Sequence, residues 1–256
     1  MPRFGSNYVF KNANDLAYES GQVATMKGVA FKTILLLAIT IITGLFSMMM
    51  INVDEVIALG TLKLGYFISP LITLVLSFIM CFKPNSAKIL AVPYAVFEGF
   101  GIGSLGILLI AALGMAEAGL ILGLALLITV AIFMGGAVLY TSGKIVITSR
   151  FRRIMYVLLI GVVLTTTIVT IVSLFNPGIY TLFFGNSSLA LLISIVMVVI
   201  ASVYTVISLD NANSIVGAGL DKNYEWYASF GIVLNIIWLF YEVVRLLLII
   251  LSRSRD

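Results

Sequence analysis

The chain alternates between long apolar runs and short polar segments. A helix that crosses a bilayer needs about 20 mainly apolar residues, and seven runs come close to that length or exceed it. The seven predicted spans are 29–51, 65–82, 89–113, 117–141, 154–175, 188–209 and 227–251. We predict helices, because the backbone polar groups of a span must be satisfied within it. The residue alternation that is typical of a β-barrel is absent.

The same pattern divides the chain into three parts. Residues 1–28 form a polar tail without the basic start, short apolar core and cleavage site of a secretory signal. Residues 29–251 form a seven-helix membrane domain, and residues 252–256 form a second short tail. We therefore predict an all-α integral membrane protein, which has the lipid bilayer as a partner.

Composition supports this prediction and excludes several kinds of chemistry. Of the 256 residues, 61% are hydrophobic and 10% are charged, whereas a soluble domain has about 25% charged residues. The chain has no His, and Cys81 is its only Cys, so histidine-based catalysis, zinc sites and an intrachain disulfide are excluded. Common enzyme motifs are missing, and the net charge of +4 is too small to indicate nucleic-acid binding. We expect neither an enzyme nor a nucleic-acid partner.

Lys and Arg residues predict the orientation, since they are enriched in cytoplasmic loops. With a cytoplasmic N-terminus, the inner side collects Arg3, Lys11, Lys27, Lys32, Lys83, Lys88, Lys144, Arg150, Arg152, Arg153 and Lys222. The outer side holds only Lys63, Arg253 and Arg255. We interpret the basic segment 141–153, "TSGKIVITSRFRR", as an orientation signal, with contact to anionic lipid as the alternative.

Four polar residues share one face of the seventh predicted span. Asn235, Trp238, Glu242 and Arg245 are spaced by 3, 4 and 3 residues, which places them on one side of a helix. Glu242 and Arg245 are able to meet as an i, i+3 pair, and each then offsets the cost of desolvating the other. A purely structural pair, or an Arg245 that reaches the outer headgroups, is the alternative.

Three carboxylates lie within or at the ends of spans, where ionisable side chains usually mark a pathway or a relay. They are Glu98 in the third span, Asp210 at the inner end of the sixth, and Glu242 in the seventh. A low dielectric favours the protonated form, so a cluster of carboxylates is expected to titrate as a coupled unit. When ionised, Asp210 and Glu242 are candidate ligands for calcium, a cation that prefers oxygen. Structural hydrogen bonding is the alternative for Glu98, and a helix-end role for Asp210.

Four stretches together resemble the Bax inhibitor (transmembrane Bax inhibitor motif) family, in its bacterial YccA-like branch. They are "YAVFEGFGIGSLG", "LYTSGKIVITSRFRRI", "SLDNANSI" and "DKNYEWYASFGIVLNIIWLFYEVVRLLL". The resemblance covers about residues 25–251, and the last stretch is its most specific part. It implies a seven-helix bundle with the last helix at the centre, and a bacterial plasma membrane as the location.

The resemblance also implies a pH-sensitive calcium leak. In the family, two aspartates on the sixth and seventh helices share a proton and control opening. The first corresponds to Asp210, and the second, counted back from Arg245, corresponds to Asn235. This chain therefore lacks the second acid at that position, while its other buried polar residues remain.

Three functions follow as hypotheses. The leading one is a calcium or cation leak channel that is gated by buried carboxylates. Asp210 is its inner gate, Glu98 and Glu242 line the pathway, and Arg245 holds Glu242 ionised. The second is a non-conducting regulator that binds other membrane proteins, such as proteases or stress-response factors. The third is a proton-coupled transporter. We expect no cofactor apart from calcium as a permeant ion or ligand.

Overall fold

A computed structural model describes residues 22–49, 68–173, 175–185 and 187–254. The described residues are almost entirely helical. The α-helices, in chain order, are α1 Met26–Met49, α2 Ser69–Phe82, α3 Ala87–Leu113, α4 Met115–Thr141, α5 Ser149–Ser173, α6 Pro177–Phe184, α7 Ser188–Gly217 and α8 Tyr224–Arg253. A short 3₁₀ turn, Pro84–Ser86, joins α2 to α3.

Six of these helices are long and apolar enough to cross a membrane: α1, α3, α4, α5, α7 and α8. They coincide with six of the seven predicted spans. The other prediction, 65–82, corresponds to α2, which has only 14 residues and a length of about 21 Å by helical rise. Residues 65–67 lie outside the described part of the chain. The predicted count of seven spans is therefore not confirmed, while the all-α multispan architecture is.

The chain divides into two compact units. The first contains the described residues up to Leu120 together with Asn211–Leu234. Its centre is a close contact between α1 and α3, where Gly44 and Gly103 allow the two backbones to approach. The ring of Tyr94 on α3 meets the ring of Phe230 on α8 edge to face, with centroids 5.1 Å apart. The first third of α8 therefore packs within this unit.

The second unit contains Ile121–Asp210 and Asn235–Asp256. Its core is a cluster formed by Met155 on α5 with Tyr204 and Ile207 on α7, and Trp238 of α8 packs against it. The Tyr204 hydroxyl donates a hydrogen bond to the backbone carbonyl of Met155. The most apolar windows of α7 and α8 are 50% buried, against 17% for α4 and 11% for α5. The surfaces of α4 and α5 are thus mainly apolar and exposed, as expected of helices that face lipid.

Candidate functional site

Asp210 lies near the end of α7 and is held by residues of two other helices. Arg152, in the first turn of α5, forms an ion pair with its carboxylate. The hydroxyl of Tyr140, at the end of α4, donates a hydrogen bond of 3.0 Å to Oδ1 of Asp210. We call these three residues the Asp210 grouping. It connects the ends of three helices within the second unit.

The Asp210 grouping is mostly shielded from solvent. The side chain of Asp210 is 16% exposed, and that of Arg152 is 26% exposed. The guanidinium of Arg152 offsets the negative charge of the Asp210 carboxylate. Arg153, the next residue along the chain, is exposed. The segment that we interpreted as an orientation signal therefore also supplies one specific partner for Asp210.

A second set of polar contacts surrounds Glu242 on α8. The indole N–H of Trp238 donates a hydrogen bond of 3.1 Å to Oε1 of Glu242, and Oε2 lies 3.8 Å from the nearest nitrogen of Arg245. The predicted i, i+3 pair is thus present. Arg245 also donates a hydrogen bond of 2.8 Å to the carbonyl of Phe183, and its guanidinium lies 4.7 Å from the ring centroid of Phe184. We call these five residues the Glu242 grouping.

The two groupings occupy different levels of the second unit. Arg253 near the end of α8 hydrogen-bonds Ser188 at the start of α7, so these two residues mark a common level. Counted from there, Asp210 lies 22 residues along α7 and Glu242 lies 11 residues along α8. At 1.5 Å per residue the two carboxylates differ by about 16 Å in depth.

The other two predicted site residues are half-buried. Asn235 belongs to α8 in the second unit and lies about 10 Å from Glu242 along that helix by helical rise. Glu98 belongs to α3 in the first unit. The structure thus brings Glu242 together with Arg245, and it places Asp210 in a separate grouping. Within the described ranges, no three His, Cys, Asp or Glu side chains are grouped as a metal site.

Glu225 is a buried acid that the sequence analysis did not single out. It lies in the first turn of α8, and the residue is only 1% exposed. Its carboxylate forms an ion pair with Lys32 on α1 and accepts hydrogen bonds from the backbone N–H and the hydroxyl of Thr25, at 2.8 and 3.0 Å. The ammonium of Lys32 also lies 5.3 Å from the ring centroid of Trp226. These contacts join the start of α8 to the start of α1 within the first unit.

Arg152, Tyr140 and Glu225 share the reason why they were missed. Each acts through a partner between 58 and 200 residues away in the chain, and helical spacing reveals only neighbours three or four residues apart. A weak signal existed for Glu225, since it is an acid at the start of an otherwise apolar run. Similarly, Tyr140 precedes the segment 141–148 and arginines follow it, and both kinds of side chain are able to bind the carboxylate of Asp210.

Comparisons with known proteins agree with the resemblance drawn from the motifs. A family model described as "Bax inhibitor 1 like" matches residues 2–252, which is nearly the whole chain. Neither the curated proteins nor the solved structures contain a match. The matched region includes every residue of the Asp210 and Glu242 groupings. This chain therefore belongs to the Bax inhibitor 1 like family.

Proposed function

We propose that this protein is a calcium or cation leak channel of the plasma membrane, with the Asp210 grouping as its gate. The observation that carries the proposal is the ion pair between Asp210 and Arg152. While the pair is intact, Arg152 neutralises the carboxylate and ties the start of α5 to the end of α7. A cation is then not attracted to Asp210, and the two helix ends stay together.

Acid is expected to open this gate. Protonation of Asp210 removes the negative charge, and the attraction to Arg152 falls with it. The ends of α5 and α7 are then free to separate. In this mechanism a single carboxylate is sufficient, because a fixed cation replaces the second acid that Asn235 does not provide.

The remaining polar residues are assigned to the pathway. Glu242, held by Trp238 and Arg245, would line the pathway at a second level of the second unit. Glu98 remains a candidate for the pathway on the basis of the sequence. Calcium prefers six to eight oxygen ligands, whereas the oxygens of Asp210 already contact Tyr140 and Arg152. This supports calcium as a passing ion rather than a resident one. We also propose that the N-terminus is cytoplasmic and that α8 lies at the centre of the bundle.

Calcium flux into proteoliposomes over a pH series tests the proposal. Wild type should leak more as the pH falls. Asp210→Asn cannot ionise, so it should leak at neutral pH about as much as wild type does in acid, and its leak should not change with pH. Glu242→Gln should reduce the leak at every pH and keep the pH dependence. If folded wild type passes no calcium at any pH, the channel proposal fails and a non-conducting regulator of other membrane proteins becomes the better hypothesis.

A further inference from the structure

A groove lies between α5 and α7 in the second unit, with a volume of about 390 Å³. One wall is a face of α5 that includes Leu158, Val162 and Thr165, and the opposite wall includes Ile193 and Met197 of α7. The volume falls within the range of about 300–1,000 Å³ that is usual for small-molecule sites. The lining is almost wholly apolar, so the groove suits a hydrocarbon chain.

The surroundings of the groove indicate where such a chain comes from. Ile160, Val163 and Leu164 of α5 are between 53% and 60% exposed, although α5 is long and apolar enough to cross a membrane. In a bilayer, exposed apolar surface of this kind faces the lipid hydrocarbon. Gly161 lies among these residues and lines the groove, so its missing side chain leaves the groove open beside them. An acyl chain is therefore able to enter the groove directly from the bilayer.

The lining of the groove includes a cation. Arg245 forms part of the lining, together with Phe183 and Phe184. Its nitrogen nearest to Glu242 is 3.8 Å from the carboxylate, which is longer than a hydrogen bond. Its buried Nε has no hydrogen-bond partner. A guanidinium whose donors are incompletely used, in an apolar wall, favours an anionic group with several oxygens.

The depth of Arg245 fits the level of lipid headgroups. The 30 residues of α8 span about 45 Å, which matches the thickness of a bilayer including its headgroups, about 40–45 Å. Arg245 precedes Arg253, in the last turn of α8, by eight residues, or about 12 Å. It therefore lies close to the boundary between headgroups and hydrocarbon, where a long basic side chain is able to reach a phosphate.

We propose that the groove binds one membrane phospholipid. An acyl chain lies between α5 and α7, and the phosphate meets the guanidinium of Arg245. This site does not include Asp210, Arg152 or Tyr140, and it shares Arg245 with the Glu242 grouping. A phospholipid fits the groove better than a soluble ligand does, because its two parts match the apolar walls and the single cation.

Gly161 allows the groove to be blocked without disturbing the protein. A β carbon at Gly161 would meet no atom within 4 Å, and the same holds for Gly135 on α4, which is exposed and does not line the groove. Gly161→Leu would therefore fill the groove, and Gly135→Leu is its matched control. The measurement is native mass spectrometry of the full chain in detergent, titrated with phosphatidylglycerol, with circular dichroism as the check of folding.

Wild type should retain one phosphatidylglycerol molecule per chain, and Gly135→Leu should do the same. Gly161→Leu should weaken the binding about tenfold, since an apolar contact worth about 1.4 kcal/mol corresponds to that factor. Thr165→Leu fills the same groove from the next turn of α5. It replaces Gly161→Leu as the test variant if Gly161→Leu does not fold. Equal retention by Gly161→Leu and the control would overturn the proposal. It is also overturned if wild type retains no lipid and instead forms a dimer that Gly161→Leu abolishes, because a second copy then occupies the groove.

Discussion

The carboxyl group of Glu225 occupies the space that a side chain at Gly28 would need. A β carbon built on Gly28 would lie 2.2 Å from the carboxyl atoms of Glu225. Gly28 lies in the first turn of α1, so the start of α1 is fitted around the buried acid of α8. A small residue at this position is required by packing against a charge rather than by backbone conformation.

Gly28→Ala should therefore destabilise the protein. The added methyl group pushes the carboxylate of Glu225 away from Thr25 and Lys32. A buried polar group that loses its partners costs about 1–3 kcal/mol, and a charged group costs more. Thermal unfolding in detergent measures the effect. Gly119→Ala is the control, because nothing lies within 4 Å of a β carbon there. The control should be neutral or stabilised by up to about 1 kcal/mol. Equal effects of the two substitutions would contradict the packing argument.

The ion pair between Lys32 and Glu225 gives a prediction about paired substitutions. Lys32→Met leaves the buried carboxylate of Glu225 without its cation, and it should lower the free energy of unfolding by about 3–5 kcal/mol. The double variant Lys32→Met with Glu225→Gln removes both charges and should be more stable than Lys32→Met alone. Lys27→Met, at an exposed position of the same helix, should change stability little. If the double variant is the less stable one, the pair does not contribute as described.

Trp238 provides a test of the Glu242 grouping. Trp238→Phe removes the N–H that donates to Glu242 but keeps an aromatic ring near Tyr204, whose centroid lies 5.6 Å away. A hydrogen bond contributes about 0.5–1.5 kcal/mol, so the melting temperature should fall. The matched change Trp226→Phe should have a smaller effect, because phenylalanine also places a ring beside the ammonium of Lys32. An unchanged melting temperature for Trp238→Phe would indicate that this hydrogen bond does not stabilise the fold.

The contact between α1 and α3 predicts a strong effect at Gly99. A β carbon there would lie 1.8 Å from Oγ1 of Thr43 and 2.5 Å from the backbone oxygen of Thr40. A backbone atom cannot rotate away, so Gly99→Ala must move one helix, at a cost of about 1–3 kcal/mol. Gly123→Ala, where a β carbon meets nothing within 4 Å, should be tolerated. Unfolding measurements that give the same stability for both variants would show that the helices are not in such close contact.

The apolar pattern was sufficient to predict the long helices and one local pair. Helical periodicity placed Trp238, Glu242 and Arg245 on one face, because their contacts lie within four residues of one another. The same reasoning gave no partner for Asp210, which depends on Arg152 from another helix. For the second run, 65–82, the described residues form the helix Ser69–Phe82, and a seventh span there stays a prediction. Sequence patterns thus predict contacts along one helix well, and they miss the charge pairs between helices.

The comparison of two adjacent arginines tests the proposed gate most directly. Arg152→Gln breaks the ion pair with Asp210, whereas Arg153→Gln removes the same charge from an exposed position one residue away. Calcium flux into proteoliposomes should be raised at neutral pH by Arg152→Gln and lose its dependence on pH. Arg153→Gln should behave as wild type does. If Arg152→Gln leaks no more than Arg153→Gln and retains the wild-type pH response, the pair between Asp210 and Arg152 is not the gate.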